Sequence, residues 1–245
     1  WFGRLLVMPN VEPPVHTAER LIEYRREIEA EGKSAIGTEV VPELLMTFKV
    51  SPSISAEEVH RLREAGAIGG KLYPRGVTTN SEDGVDEIDS LYPLFAAMQE
   101  EQLVLEVHAE QPGAFSMERE AAYMPTIIRI ASDFPYLRIV VEHVSSEAAV
   151  ETVRTLPGTV AATVTLHHLM LTLDDVVGDA LRPHHFCKPI AKRPEDLDAI
   201  RRAVFSGDPK FFFGSDSAPH KKQAKEAACG CAGIYAAPVA IPLLA

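Results

Sequence analysis

The stretch Ala67-Ile-Gly-Gly-Lys-Leu-Tyr-Pro-Arg-Gly-Val-Thr-Thr-Asn80, with Lys71 at its centre, decides the fold. Two glycines lead into the lysine, an apolar pair follows it, and Pro74 ends any hydrogen-bond ladder. The run therefore reads as a short buried strand that stops just beyond Lys71. An ammonium inside such a strand is costly unless it is paired or chemically altered. A lone lysine at a strand end would ordinarily snorkel to the surface, but Lys71 does not stand alone. Three further strand-like runs end in a residue able to bind a metal: 103–108 in His108, 137–143 in His143 and 210–216 in Asp216. Lys71 to His108 is 37 residues, His108 to His143 is 35, and His143 to Asp216 is 73, close to two such steps. A strand–helix unit of an eight-stranded parallel barrel averages about 31 residues, and more where loops are long. Polar residues at the C-terminal ends of barrel strands converge on one mouth. The spacing thus predicts an α/β fold, a TIM-like (β/α)8 barrel, in which the four residues meet.

Working outward, residues 4–10 form an apolar strand closed by Pro9-Asn10, and 43–50 form another, with a helix from the cap Thr17 to about Glu31 between them. Asn10 lies 61 residues before Lys71, again two steps, which places it at the same mouth; Pro-Asn equally describes an ordinary turn. Helices are expected over 55–66 with Ser55 as cap, 91–101, 125–134 with Pro125 at the first position, 147–155 and 194–205. Residues 160–168 read as the sixth strand, and His167 and His168 go to the core or rim, because adjacent strand residues face opposite ways. The polar stretch 75–89 is too long for a tight connection and has the character of a lid. Residues 177–193 are irregular and fold over the mouth, and the segment beyond Asp216 reads as loop.

Composition bounds the rest. With 245 residues, 46% of them hydrophobic, the chain suits one barrel domain spanning 1–245. No run approaches the roughly 18 apolar residues of a membrane span, so a cytoplasmic location is expected. A formal charge of −11 argues against a nucleic-acid surface. Cys187, Cys229 and Cys231 suit neither a disulfide framework nor a zinc knuckle. A neutral lysine can react with CO2 to give a carbamate, which bridges two divalent cations; imidazoles and a carboxylate complete a ligand set suited to Zn2+. Two bridged cations share a hydroxide nucleophile at neutral pH, and Asp216 can both hold metal and move a proton. This is equipment for opening or closing a cyclic amide.

The runs Val7-Met-Pro-Asn10, Gly70-Lys-Leu-Tyr-Pro74 with Thr78-Thr79-Asn80, Val107-His108, Glu142-His143, Arg182-Pro-His184, Gly214-Ser-Asp-Ser-Ala-Pro-His220 and Cys229-Gly-Cys-Ala-Gly233 resemble the single-chain microbial dihydroorotases of the amidohydrolase superfamily. The resemblance runs from about residue 3 to the end; the segment 109–124 departs from the bacterial pattern. It implies a carbamylated, metal-bridging Lys71, with His108 and His143 on the more buried metal and Asp216 as ligand and general acid/base. It further implies that Asn10, His220 and the backbone around Ala232 bind the substrate carboxylate, that Thr78 and Thr79 tip a mobile loop, and that Lys188 offers a backbone contact. The implied reaction is the reversible cyclisation of N-carbamoyl-L-aspartate to L-dihydroorotate in pyrimidine biosynthesis. Hydantoinase, dihydropyrimidinase and allantoinase share the metal set and remain rivals, as does a catalytically dead homologue serving as a structural partner. The expected partners are the small-molecule substrate and a second copy in a homodimer, with neither nucleic acid nor membrane. In the resembled family a strand preceding that of Asn10 carries a His-x-His-x-Arg motif, which does not occur here. The sequence is therefore expected to be an N-terminally trimmed barrel with seven of eight strands, with C-terminal shortening left open, whose 245 residues alone hold at most one metal and are essentially inactive.

Overall fold

Short apolar runs separated by helical crossovers have no local partner to pair with, so they pair with one another in parallel. The computed structural model describes residues 2–37, 42–78, 81, 84–85 and 87–244. Its strands are β1 (Arg4–Val7), β2 (Glu43–Lys49), β3 (Ala67–Leu72), β4 (Val104–Val107), β5 (Arg138–Val141), β6 (Val160–Val164) and β7 (Phe211–Phe213). They form one sheet in chain order, each neighbouring pair parallel. The α-helices are α1 (Ala18–Ile36), α2 (Ala56–Glu64), α3 (Tyr92–Glu100), α4 (Arg119–Asp133), α5 (Glu147–Thr155), α6 (Leu166–Met170), α7 (Asp174–Val177), α8 (Pro194–Phe205), α9 (Lys222–Lys225) and α10 (Ala237–Leu244).

The sheet curls until its two edges face each other: the ring of Phe2, just ahead of β1, stacks on Phe213 of β7 with centroids 6.2 Å apart. Among the described residues β1 pairs only with β2 and β7 only with β6, so seven strands of the expected eight-stranded barrel are seen. The core lies inside the curl and between sheet and helices, with Phe48, Leu72, Leu105, Ile127, Val141 and Val153 wholly enclosed. No described helix is long and apolar enough to cross a membrane.

Helix starts follow the capping chemistry. Thr17 Oγ1 accepts from Arg20 N at 3.3 Å and Ser55 Oγ from Glu58 N at 3.2 Å. Four expectations need correcting. Helix α1 continues to Ile36, where Gly37 at φ 65° closes it through Gly37 N–H to Lys33 O. Helix α4 starts at Arg119, not Pro125; Pro125 sits inside it on the exposed face, where water can take the carbonyl that the proline leaves unbonded. Strand β6 ends at Val164, because Thr165 accepts from His168 N at 3.2 Å and starts α6, so His167 and His168 are helical. The stretch beyond Asp216, expected as loop, includes α9 and α10.

Candidate active site

The two glycines before Lys71 are a packing requirement. A Cβ on Gly69 would lie 2.6 Å from the Val104 carbonyl oxygen, and one on Gly70 would lie 2.7 Å from the Phe48 ring. Their absence of side chains lets β3 run close against β2 and β4, and this sinks Lys71 to 1% exposure. His108 follows β4 directly, while His143 and Asp216 come two and three residues after β5 and β7. Both of the latter adopt left-handed backbone, φ 43° and 39°, a conformation that costs a non-glycine residue on the order of 1–3 kcal/mol and re-aims its side chain.

A cavity of about 230 Å³ at the C-terminal ends of the strands is lined by Lys71, His108, His143 and Asp216 together with Asn10, Thr78, Lys188, His220 and Ala232. The structure thus brings the expected site residues together, except Thr79, which lies outside the described residues.

Lys71 Nζ lies against the Glu142 carboxylate yet makes no hydrogen bond among the described residues. Burial pulls its pKa down to about 8, against the charges of Glu106 and Asp216. Burial likewise raises Glu106 to about 7, and desolvation at the cavity raises the partly exposed Asp216 to about 6, with Lys71 drawing each back. Desolvation holds both His108 and His143 below their ordinary value, so they are neutral near pH 7. His108 Nε2 stands 2.7 Å from Glu110 Oε2. A carboxylate oxygen accepts, so that nitrogen carries the proton and Nδ1 keeps a lone pair; Nδ1 is 3.1 Å from His143 Nε2.

This arrangement fits a metal. Two nitrogens on one tetrahedral zinc, each at 2.0–2.1 Å, sit about 3.4 Å apart, close to the 3.1 Å found here. Lys71, a buried amine against the Glu142 carboxylate and depressed towards neutrality, has the chemistry to take up CO2 and supply oxygen ligands beside them. A second grouping, His167, His168 and Cys187, also brings its donor atoms close. It is already committed: His168 bonds Thr165 Oγ1 at 2.8 Å and Pro189 O at 3.0 Å, and the Cys187 thiol donates to Pro189 O at 3.2 Å. His167 is different, because neither ring nitrogen has a partner among the described residues and Nε2 is 4.0 Å from Asp216 Oδ2.

Sequence reasoning passed over the buried carboxylates Glu106, Glu110 and Glu142. A signal for two of them was present: Glu106, His108 and Glu110 alternate at a spacing of two, so an extended chain puts them on one face.

Residues 48–229 match the family Amidohydrolase. A dihydroorotase from Aliivibrio fischeri is 42% identical over 99% of this chain and 71% of its own length. The crystal structure of dihydroorotase from Saccharomyces cerevisiae, in complex with 5-fluoroorotic acid, superposes with a TM-score of 0.90 at 39% identity, covering 99% of this chain and 69% of that one. A dihydropyrimidinase from Brevibacillus agri shares the fold alone, with a TM-score of 0.70 at 15% identity over 95% of this chain and 54% of its own. On these similarities the chain belongs to the dihydroorotase family of the amidohydrolases.

Proposed function

We propose that the enzyme to which these 245 residues belong catalyses the reversible cyclisation of N-carbamoyl-L-aspartate to L-dihydroorotate, a step of pyrimidine synthesis, in the cytoplasm. The observation that carries the reading is the cavity in which a buried lysine against the Glu142 carboxylate and two histidines with ring nitrogens 3.1 Å apart meet Asp216, Asn10 and His220. In this reading Lys71 as its carbamate, His108, His143 and Asp216 hold divalent cations, zinc being the best match to the donors. Cations bound there supply Lewis-acid polarisation of the amide carbonyl and an activated water. The chain's own residues do the rest. Asn10, His220 and the Ala232 N–H take the substrate carboxylate, and Thr78, with Thr79, closes over the ring. In the hydrolytic direction the water oxygen bonds to the ring amide carbon and the C–N bond breaks. Asp216 takes the proton from the water and delivers it to the departing nitrogen. In the cyclising direction the same carboxyl starts protonated.

A local field must overcome the overall charge of −11 to admit an anionic substrate. Lys188 lines the cavity and its charge is felt at His108, which gives the rim a cation of its own. The test is a substrate panel on the zinc-loaded full-length enzyme: dihydroorotate is turned over, while hydantoin, dihydrouracil and allantoin are turned over at least about 100-fold more slowly, as expected where a buried polar site is left without its partner. Equal turnover of the carboxylate-free rings would reject the assignment.

A further inference from the structure

The chemistry above leaves three buried lysines unused among the described residues, Lys49, Lys192 and Lys225. Lys225, the last residue of α9, is 4% exposed. Its ammonium donates to three main-chain carbonyls, Phe186 O at 3.0 Å, Cys231 O at 2.8 Å and Gly233 O at 2.7 Å, which matches its three donors to three acceptors. No carboxylate pairs with it among the described residues; the adjacent Glu226 turns instead to His184 and Lys222.

The acceptors belong to two loops at the mouth, one carrying Lys188 and the other Ala232. Gly233 N–H to Phe186 O, 2.9 Å, joins the loops directly, and Cys231 N–H to Ala224 O, 3.1 Å, ties the second loop back to α9. His220 Nε2 donates to the carbonyl between the two that Lys225 holds, Ala232 O, at 3.0 Å. All three carbonyls of 231–233 are therefore occupied, and the N–H groups of Cys231 and Gly233 are spent. The Ala232 N–H, in a residue that lines the cavity, is the one donor of this segment with no acceptor among the described residues. The segment also has little freedom to turn, because a Cβ on Gly233 would lie 2.7 Å from Ala218 Cβ.

We propose that Lys225 is a positioning residue for the substrate carboxylate: by clamping the carbonyls on both sides of Ala232 to the 186–188 loop, it keeps the Ala232 N–H free for the anion, and its uncompensated charge stands behind that N–H. The inference rests on the reading of Asn10, His220 and Ala232 as the anion site.

The test uses zinc-loaded enzyme with Lys225→Met, which keeps the length of the side chain and removes both donors and charge. The probe is 5-fluoroorotate, titrated calorimetrically alongside steady-state kinetics with dihydroorotate. Losing hydrogen bonds to a charged group predicts that the 5-fluoroorotate Kd and the dihydroorotate KM rise together by roughly tenfold or more. Over the same change kcat stays within about threefold and metal content is unaltered, the mark of binding lost equally from ground and transition states. An unchanged Kd, or a fall of kcat and metal content in step with KM, would overturn the proposal. Should Lys225→Met fail to fold, Lys225→Gln, which retains two donors without the charge, is held to the same criteria. His220→Ala separates the two layers of the argument. If it leaves 5-fluoroorotate binding intact, the anion-site reading itself is wrong; if it weakens binding while Lys225→Met does not, only the role of Lys225 fails.

Discussion

A lysine whose pKa is drawn down to about 8 offers a neutral amine at a pH where an ordinary lysine, at 10.5, is almost wholly charged, and only the neutral amine reacts with CO2. Lys71→Ala should therefore abolish metal retention and lower turnover by well over 100-fold, more than removal of an outer-shell partner costs, whereas the exposed Lys222→Ala should do little. Normal turnover of Lys71→Ala without an added short carboxylic acid would rule out the carbamate. Asp216 gives a second, signed expectation. Desolvation among the groups of the cavity raises its pKa above 3.8, to about 6, although its side chain stays partly exposed. Hydrolysis needs the ionised carboxylate, so its rate falls as pH drops through the raised pKa; cyclisation needs the protonated acid, so its rate falls as pH rises through it. Rate profiles measured in both directions should slope oppositely, and Asp216→Asn should flatten both; slopes of the same sign would remove Asp216 from proton transfer. Lys71, His108, His143 and Asp216 were legible because a charged or metal-binding residue ending an apolar run conflicts with its surroundings. Glu142 was not, since a glutamate is unremarkable until burial is known; Glu106 and Glu110 carried only their alternation with His108, and only the fold shows all three enclosed.

At the level of elements, helices whose start is set by a side-chain cap were readable to within a residue or two, as α2 and α5 show, and α8 was readable from the proline at its first position. Where packing overrides local preference the reading failed: Pro125 is tolerated within α4 because it faces out, and the run after Val164 turns into α6 because of one threonine hydroxyl. The connection from β3 to α3 is more ordered at its base than its polar sequence suggests. Ser81, fully buried, accepts from Thr78 N at 3.0 Å, donates to Thr78 O at 2.6 Å, and its carbonyl receives the N–H groups of Gly76 and Gly84. Thr78 itself reaches the cavity. Replacing Thr78 and Thr79 together by alanine should cut turnover with little change in Tm, while Ser81→Ala, which strands two buried backbone groups, should cost about 1–3 kcal/mol of stability as well. Equal losses of Tm and activity in the double threonine variant would make the connection a structural element instead of a closing loop.

For the molecule as a whole, the regular step between the strands that lead to Lys71, His108, His143 and Asp216 carried the parallel topology, because each crossover consumes a similar length of chain. The way the sheet closes on itself was not readable, since it depends on contacts between residues some 200 positions apart, such as Phe2 with Phe213. The inner strands carry a dynamic consequence. β3, β4 and β5 are each paired on both sides and sit amid buried neighbours, so their amides meet water only when a whole neighbouring strand lets go. In native-state hydrogen exchange these amides should wait for global unfolding, while those in the exposed last turns of α1 exchange by local opening. Exchange of the β4 amides as fast as that of α1 would show that this wall opens locally.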